Sequence, residues 1–154
     1  MEWLSDAFTF VSLLIGNEFV FSLALGALVF FTERRPQKRK KIILAILITF
    51  LLVVALKNVF AVQRPCRGEL AESGCPDLFL SEYSFPSGHA AMAFLVMVAF
   101  LDKPTFPLFW AFALLVSATR LYLGVHTFED IAGSLVLAPI AYYITDVSWR
   151  RYFG

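Results

Sequence analysis

The chain has 154 residues, 59% of them hydrophobic and 17 of them phenylalanine, and a mean hydropathy of +0.73. Soluble domains hold about 45–50% apolar residues even with glycine counted, so the composition excludes an ordinary soluble protein and points to an integral membrane domain. A formal net charge of +1 favours no acidic or nucleic-acid partner in bulk, so the information lies in where the charges sit.

Residues 2–15 mix Trp3, Ser5, Asp6, Thr9 and Ser12 with Leu, Phe and Val. No basic stretch precedes the apolar part and no small-residue cleavage site follows it, so the segment reads as an amphipathic helix on the membrane surface rather than a cleaved signal. Long uncharged runs then occupy residues 19–32, 42–56, 90–101, 105–119 and 131–145. With flanking aromatic and small residues each approaches the ~20 residues needed to cross a hydrocarbon core. Nothing alternates with period two, and lipid admits only helices or closed barrels. The expected fold is all-α: a membrane helix bundle of five transmembrane helices plus the N-terminal amphipathic interfacial helix, forming one domain over residues 1–154.

Residues 33–41, "ERRPQKRKK", carry six basic side chains, and Lys103, Arg150 and Arg151 fall on the same side of a five-span topology. Nine of 13 Lys and Arg thus share one face, which the positive-inside rule makes cytoplasmic. The run is a topology signal and an anionic-lipid contact, not a nucleic-acid patch. A multi-pass plasma-membrane protein follows, with the 33–41 loop and the C-terminus inside.

Lys57, Arg64, Arg67 and Arg120 are left at the opposite, outer face. Lys57 ends the second span, where a lysine often only snorkels to the interface, and Arg64 is fixed beside Pro65 outside helical geometry. The connection 62–85, with Glu69, Glu72, Asp77 and Glu82, has the length of a functional or disordered loop. Cys66 and Cys75 within it could close a disulfide worth roughly 2–3 kcal/mol on the oxidising side, or stay as free thiols. The loop ends in "FPSGHAAMAF", where Pro86 and Gly88 form turns and Ser87 can cap a helix starting near His89, an end with free N–H groups suited to anions. In "RLYLGVHTFED", His126 and Asp130 at the start of the fifth span have i, i+4 spacing and can touch. An aspartate holding one imidazole nitrogen fixes the tautomer and frees the other nitrogen for attack. Glu129 faces elsewhere and is assigned no chemistry.

In order, the chain reads K-x6-R-P from Lys57, P-S-G-H from Pro86 and R-x5-H-x3-D from Arg120. This resembles the type 2 phosphatidic acid phosphatase superfamily, membrane lipid phosphatases whose site is shared with vanadium haloperoxidases. The resemblance covers residues 42–145. Thr119 stands where the family's third motif usually has serine, and a family of commonly six membrane helices has its first reduced here to the short N-terminal segment, as in compact bacterial and archaeal members.

The resemblance implies a metal-independent, cofactor-free enzyme acting on a membrane lipid phosphate at the outer face. Lys57, Arg64, Arg120, the Ser87 hydroxyl and the Gly88 N–H would cradle the phosphoryl group. His126, oriented by Asp130, would attack phosphorus and form a phosphohistidine, and His89 would protonate the leaving oxygen and then activate water. Polyprenyl phosphates or diphosphates are favoured over phosphatidate or phosphatidylglycerol phosphate, because no soluble headgroup domain is evident. The alternatives are a lipid-linked phosphotransferase and a non-catalytic lipid-phosphate binding or transport protein; the two histidines and Asp130 argue against the second, since binding needs only the cations.

Overall fold

The computed structural model describes residues 16–67 and 81–153, in which five helices follow one another. They are α1 (Glu18–Thr32), α2 (Pro36–Phe60), α3 (Gly88–Ala99), α4 (Phe106–Tyr122) and α5 (Phe128–Phe153), with a short 3₁₀ turn at Pro65–Arg67. Among the described residues there is no strand, only one antiparallel bridge between Gln63 and Tyr83. The predicted interfacial helix over residues 2–15 lies outside the described residues, as do Glu69, Glu72, Asp77 and Cys75. Cys66 is disulfide-bonded.

Helix ends fall where the local chemistry dictates. Asn17 Oδ1 accepts from the N–H groups of Phe19 and Val20 at 2.9 and 3.3 Å, meeting two of the orphan donors that open α1. Pro36 begins α2 at a position where its missing N–H costs nothing, and Ala61 closes that helix in the left-handed region with φ of 48°. Ser87 caps α3, its Oγ accepting from Ala90 N. Gly124, at φ 62°, turns the chain between α4 and α5 where a side chain would be strained.

Packing centres on α3, which contacts α1, α2, α4 and α5. Every residue from 88 to 97 is buried, as a helix apolar on every face apart from His89 demands. The outer surface is the reverse of a soluble protein's: Phe31 is 81% and Phe128 76% exposed. Hydroxyls on the buried faces are satisfied within their own helices, Thr49, Ser117 and Thr145 each donating at 2.8 Å to the carbonyl four residues back.

Of the five expected spans, α2 (25 residues) and α5 (26 residues) are long and apolar enough to cross a membrane by length and composition. The others have 15, 12 and 17 residues. For α3 the reason is its place: surrounded by its neighbours, it need not meet lipid along its length. The helices alternate in direction, so the starts of α1, α3 and α5 and the ends of α2 and α4 gather at one end of the bundle. The basic residues gather at the other, where Lys38 pairs with Asp102 at 2.6 Å, Lys103 with Glu33 at 3.7 Å, and Lys41 and Arg150 both with Asp146 at 2.5 Å.

Candidate active site

Alternating helix direction brings together eight residues predicted from the sequence: Lys57, Arg64, Ser87, Gly88, His89, Arg120, His126 and Asp130. All eight are buried. Lys57 does not snorkel away; its ammonium donates to the Tyr83 carbonyl at 2.8 Å and the Ser84 carbonyl at 3.4 Å. Arg64 is held from two sides, by the Ser81 carbonyl at 3.1 and 3.2 Å and the Val125 carbonyl at 3.3 Å. The bridge between Gln63 and Tyr83 zips together the two ends of the long connection that carry these contacts.

His126 lies two residues before α5, in the 123–127 turn, rather than inside a helix as the i, i+4 spacing suggested. Its contact with Asp130 forms all the same, Nδ1 to Oδ2 at 3.2 Å, because the turn is folded onto the helix start. The same Oδ2 accepts from Thr127 N at 2.8 Å, while Thr127 Oγ1 accepts from Asp130 N at 3.4 Å. This reciprocal cap fixes the carboxylate and the ring together.

The tautomer follows from the donors around the ring. A guanidinium can only donate, so Arg64 Nη1, 3.3 Å from His126 Nε2, makes Nε2 the acceptor nitrogen and leaves the proton on Nδ1, facing Asp130. Burial pushes the His126 imidazole down to about 4 against the opposing pull of the Asp130 hydrogen bond, so it is neutral at neutral pH with a lone pair on Nε2.

Ser87 is tied to the same corner: its N–H donates to the Asp130 carbonyl at 3.3 Å, and Ser134 Oγ lies 2.9 Å from the Ser87 carbonyl and 2.6 Å from that of Asp130. Arg120 is aimed by the residue that departs from the motif. Thr119 Oγ1 accepts from Arg120 Nε at 3.1 Å and donates to the Val116 carbonyl at 2.6 Å, the work a serine hydroxyl would do there. His89 packs against the Phe21 ring, centroids 4.9 Å apart. With Arg120 it forms the polar end of an apolar cavity of about 300 Å³ between α1 and α4, otherwise lined by residues such as Leu25, Leu28, Phe112 and Leu115.

Sequence reasoning missed Glu18. It sits in the first turn of α1, 3% exposed, with Oε1 3.2 Å from Lys57 Nζ and 4.0 Å from Arg64 Nη2. The available signal was its position: α1 is antiparallel to α2, so a carboxylate at the start of one helix meets a lysine at the end of the other. Glu129, by contrast, is exposed as expected. Among the described residues no three His, Cys, Asp or Glu converge to hold a metal ion. The cluster of Lys57, Arg64 and Arg120 around a helix N-terminus is suited to an anion.

Residues 38–152 match the family model described as the PAP2 superfamily. Among curated proteins, sphingosine-1-phosphate phosphatase 2 of Homo sapiens is 29% identical over 150 residues and that of Mus musculus 27% over 150 residues. These matches cover 85% of this chain but 37% and 42% of the relatives, so the chain spans less than half the length of either. The crystal structure of a transmembrane PAP2 type phosphatidylglycerolphosphate phosphatase from Bacillus subtilis shares the fold, with a TM-score of 0.66 at 23% identity, covering 99% of this chain and 79% of that one.

Proposed function

The chain belongs to the PAP2 superfamily, and from that premise we propose that it is a membrane lipid phosphatase working through a phosphohistidine at His126. Nε2 attacks phosphorus, the bond to the lipid oxygen breaks, and His89 gives that oxygen its proton. His89 then takes a proton from water, the water oxygen bonds to phosphorus, and the N–P bond breaks to release phosphate and restore His126. Lys57, Arg64 and Arg120, with the Ser87 hydroxyl and Gly88 N–H, hold the non-bridging oxygens as charge builds on them.

The observation that carries this reading is the orientation of His126, with Nδ1 on Asp130 and the acceptor nitrogen Nε2 turned toward the cations. The apolar cavity supports a lipid substrate: its polar end is His89, the residue that must meet the leaving oxygen, so the lipid tail would lie between α1 and α4. Polyprenyl phosphates and diphosphates, phosphatidylglycerol phosphate and sphingosine 1-phosphate all present a terminal phosphate on an apolar tail. We place the five helices across a plasma membrane, with the site at the outer face, the 33–41 loop and C-terminus in the cytoplasm, and Cys66 paired with Cys75 outside.

Purified protein in detergent with EDTA should release phosphate from at least one lipid of that panel. Acid quenching during turnover should trap label from a phosphate-labelled substrate on wild-type protein and none on His126→Ala. Wild-type turnover by folded His126→Ala would refute the covalent route.

A further inference from the structure

The reaction just described has no use for Glu18, yet this carboxylate occupies the centre of the cationic cluster. A Cβ placed on Gly88 would come within 2.7 Å of Glu18 Cδ and 2.8 Å of its Oε2, so the carboxylate lies directly over the first residue of α3. Its other oxygen is the one 3.2 Å from Lys57 and 4.0 Å from Arg64. His89, His126 and Arg120 all lie within electrostatic reach of it. Glu18 therefore faces Lys57 from α2, Arg64 from the loop and Gly88 from α3 at close range, and acts electrostatically on His89 from α3, Arg120 from α4 and His126 from the turn before α5. These are the groups assigned above to the phosphoryl oxygens and the reacting nitrogens. Asp130 also acts on Lys57 electrostatically, but its hydrogen bonds go to His126 and Thr127.

A carboxylate and a phosphate dianion cannot share these donors: they would stand in contact with like charge among buried groups. Nor is the carboxylate fully matched where it sits: Oε1 lies 3.2 Å from Lys57 Nζ, but Arg64 Nη2, at 4.0 Å, is beyond hydrogen-bond reach. We propose that Glu18 fills the phosphoryl seat while no substrate is bound, so that a lipid phosphate binds only by displacing it. The inference rests on the reading of this cluster as a phosphate site.

Its consequence is selectivity by charge. The surrounding membrane offers phosphodiester headgroups of one negative charge in great excess. A monoanion with two bulky ester arms competes poorly against a resident carboxylate that is tethered in place, whereas a terminal phosphate dianion carries more charge and three free oxygens. Glu18 thus keeps the site clear of bulk lipid and admits phosphomonoesters and terminal diphosphates. Glu18 stands in the first turn of α1, so its displacement asks for movement at a helix end rather than in its middle.

The test uses inorganic phosphate and phosphatidylglycerol in mixed micelles as competitive inhibitors of turnover by the full chain. If Glu18 occupies the seat nine-tenths of the time or more, the apparent affinity of any anion is reduced at least about tenfold. Glu18→Gln should therefore lower the inhibition constant for phosphate by at least about tenfold. It should also make the enzyme sensitive to phosphatidylglycerol at concentrations that leave wild type unaffected. KM should fall with it, without a matching rise in kcat. A carboxylate needed only to hold the fold would give the opposite sign, weaker phosphate binding. Glu18→Asp keeps the charge that balances the cations but withdraws the carboxylate by one methylene, and should tighten phosphate by at least about threefold even if the glutamine variant fails to fold. Unchanged or weaker phosphate inhibition in a folded Glu18 variant, with wild type active, overturns the proposal. If phosphate does not inhibit wild type and Arg64→Ala changes nothing, the phosphate-site reading fails and this inference falls with it.

Discussion

Asp130 performs two tasks with one oxygen, and substitution by asparagine separates them. Oδ2 accepts from Thr127 N at 2.8 Å, which caps α5, and from His126 Nδ1 at 3.2 Å, which fixes the ring. The amide oxygen of asparagine can still accept both bonds, so the cap survives. Losing a cap altogether costs about 1 kcal/mol; keeping it should hold the change in Tm to within about 4 °C for a chain of this size. What asparagine lacks is the charge opposite an imidazole that becomes positive as Nε2 bonds to phosphorus. A hundredfold loss in kcat corresponds to about 2.7 kcal/mol, within what a charge-assisted hydrogen bond at a 1% exposed aspartate can supply. In serine hydrolase triads the same exchange costs about 10⁴-fold. We expect Asp130→Asn to lose between about 10² and 10⁴ in kcat, measured as free phosphate released in detergent. Glu129→Gln, one residue away and exposed, should lose less than about tenfold. Equal and mild losses in the two folded variants would refute the pairing and leave Asp130 as a helix cap alone.

Thr119→Val removes the acceptor that aims Arg120 Nε and should raise KM by about 10- to 100-fold, the range for hydrogen bonds to charged groups, while Thr119→Ser stays near wild type. Equal behaviour of the two variants would show that the hydroxyl does not set the guanidinium. In a His89→Gln background the one remaining histidine signal in NMR should titrate at about 4, and Asp130→Asn should move it lower still, since Asp130 favours the protonated ring. Titration near 6.5 would contradict the buried neutral imidazole. A membrane-impermeant thiol reagent applied to intact cells after reduction should label Cys66; labelling only after permeabilisation would invert the orientation and move the site to the cytoplasmic leaflet.

The sequence carried the helices through local signals, and most of the site through three motifs whose order resembles a known family. Apolar runs cannot be anything but buried or lipid-facing, and Ser87 marks a helix start by its own chemistry. Motif residues were legible through the resemblance, which joined Lys57, Arg64, Arg120 and the two histidines; taken singly, Lys57 read as an interface lysine. Glu18 escaped because its meaning depends on a partner in another helix: beside Asn17 it reads as an ordinary acidic first turn, and only the antiparallel packing of α1 on α2 brings it to Lys57. The departure of His126 from the helix escaped for a related reason. Spacing alone cannot distinguish an i, i+4 contact along a helix from one made by a turn folded over its cap. Helix lengths were overstated for α1, α3 and α4, since hydropathy counts flanking residues that the chain uses for turns and site contacts.

The central helix also has a mechanical consequence. Ala90, Ala91 and Ala93 are fully buried, so neighbouring backbones close tightly on the body of α3. The cavity between α1 and α4, by contrast, opens toward the apolar exterior. With the helices placed across a bilayer as proposed, lateral pressure set by acyl-chain length and saturation would act on that seam more than on the closely packed centre. On the proposed function, membrane composition would then tune how readily a lipid phosphate is captured more than the rate of the chemical step that follows.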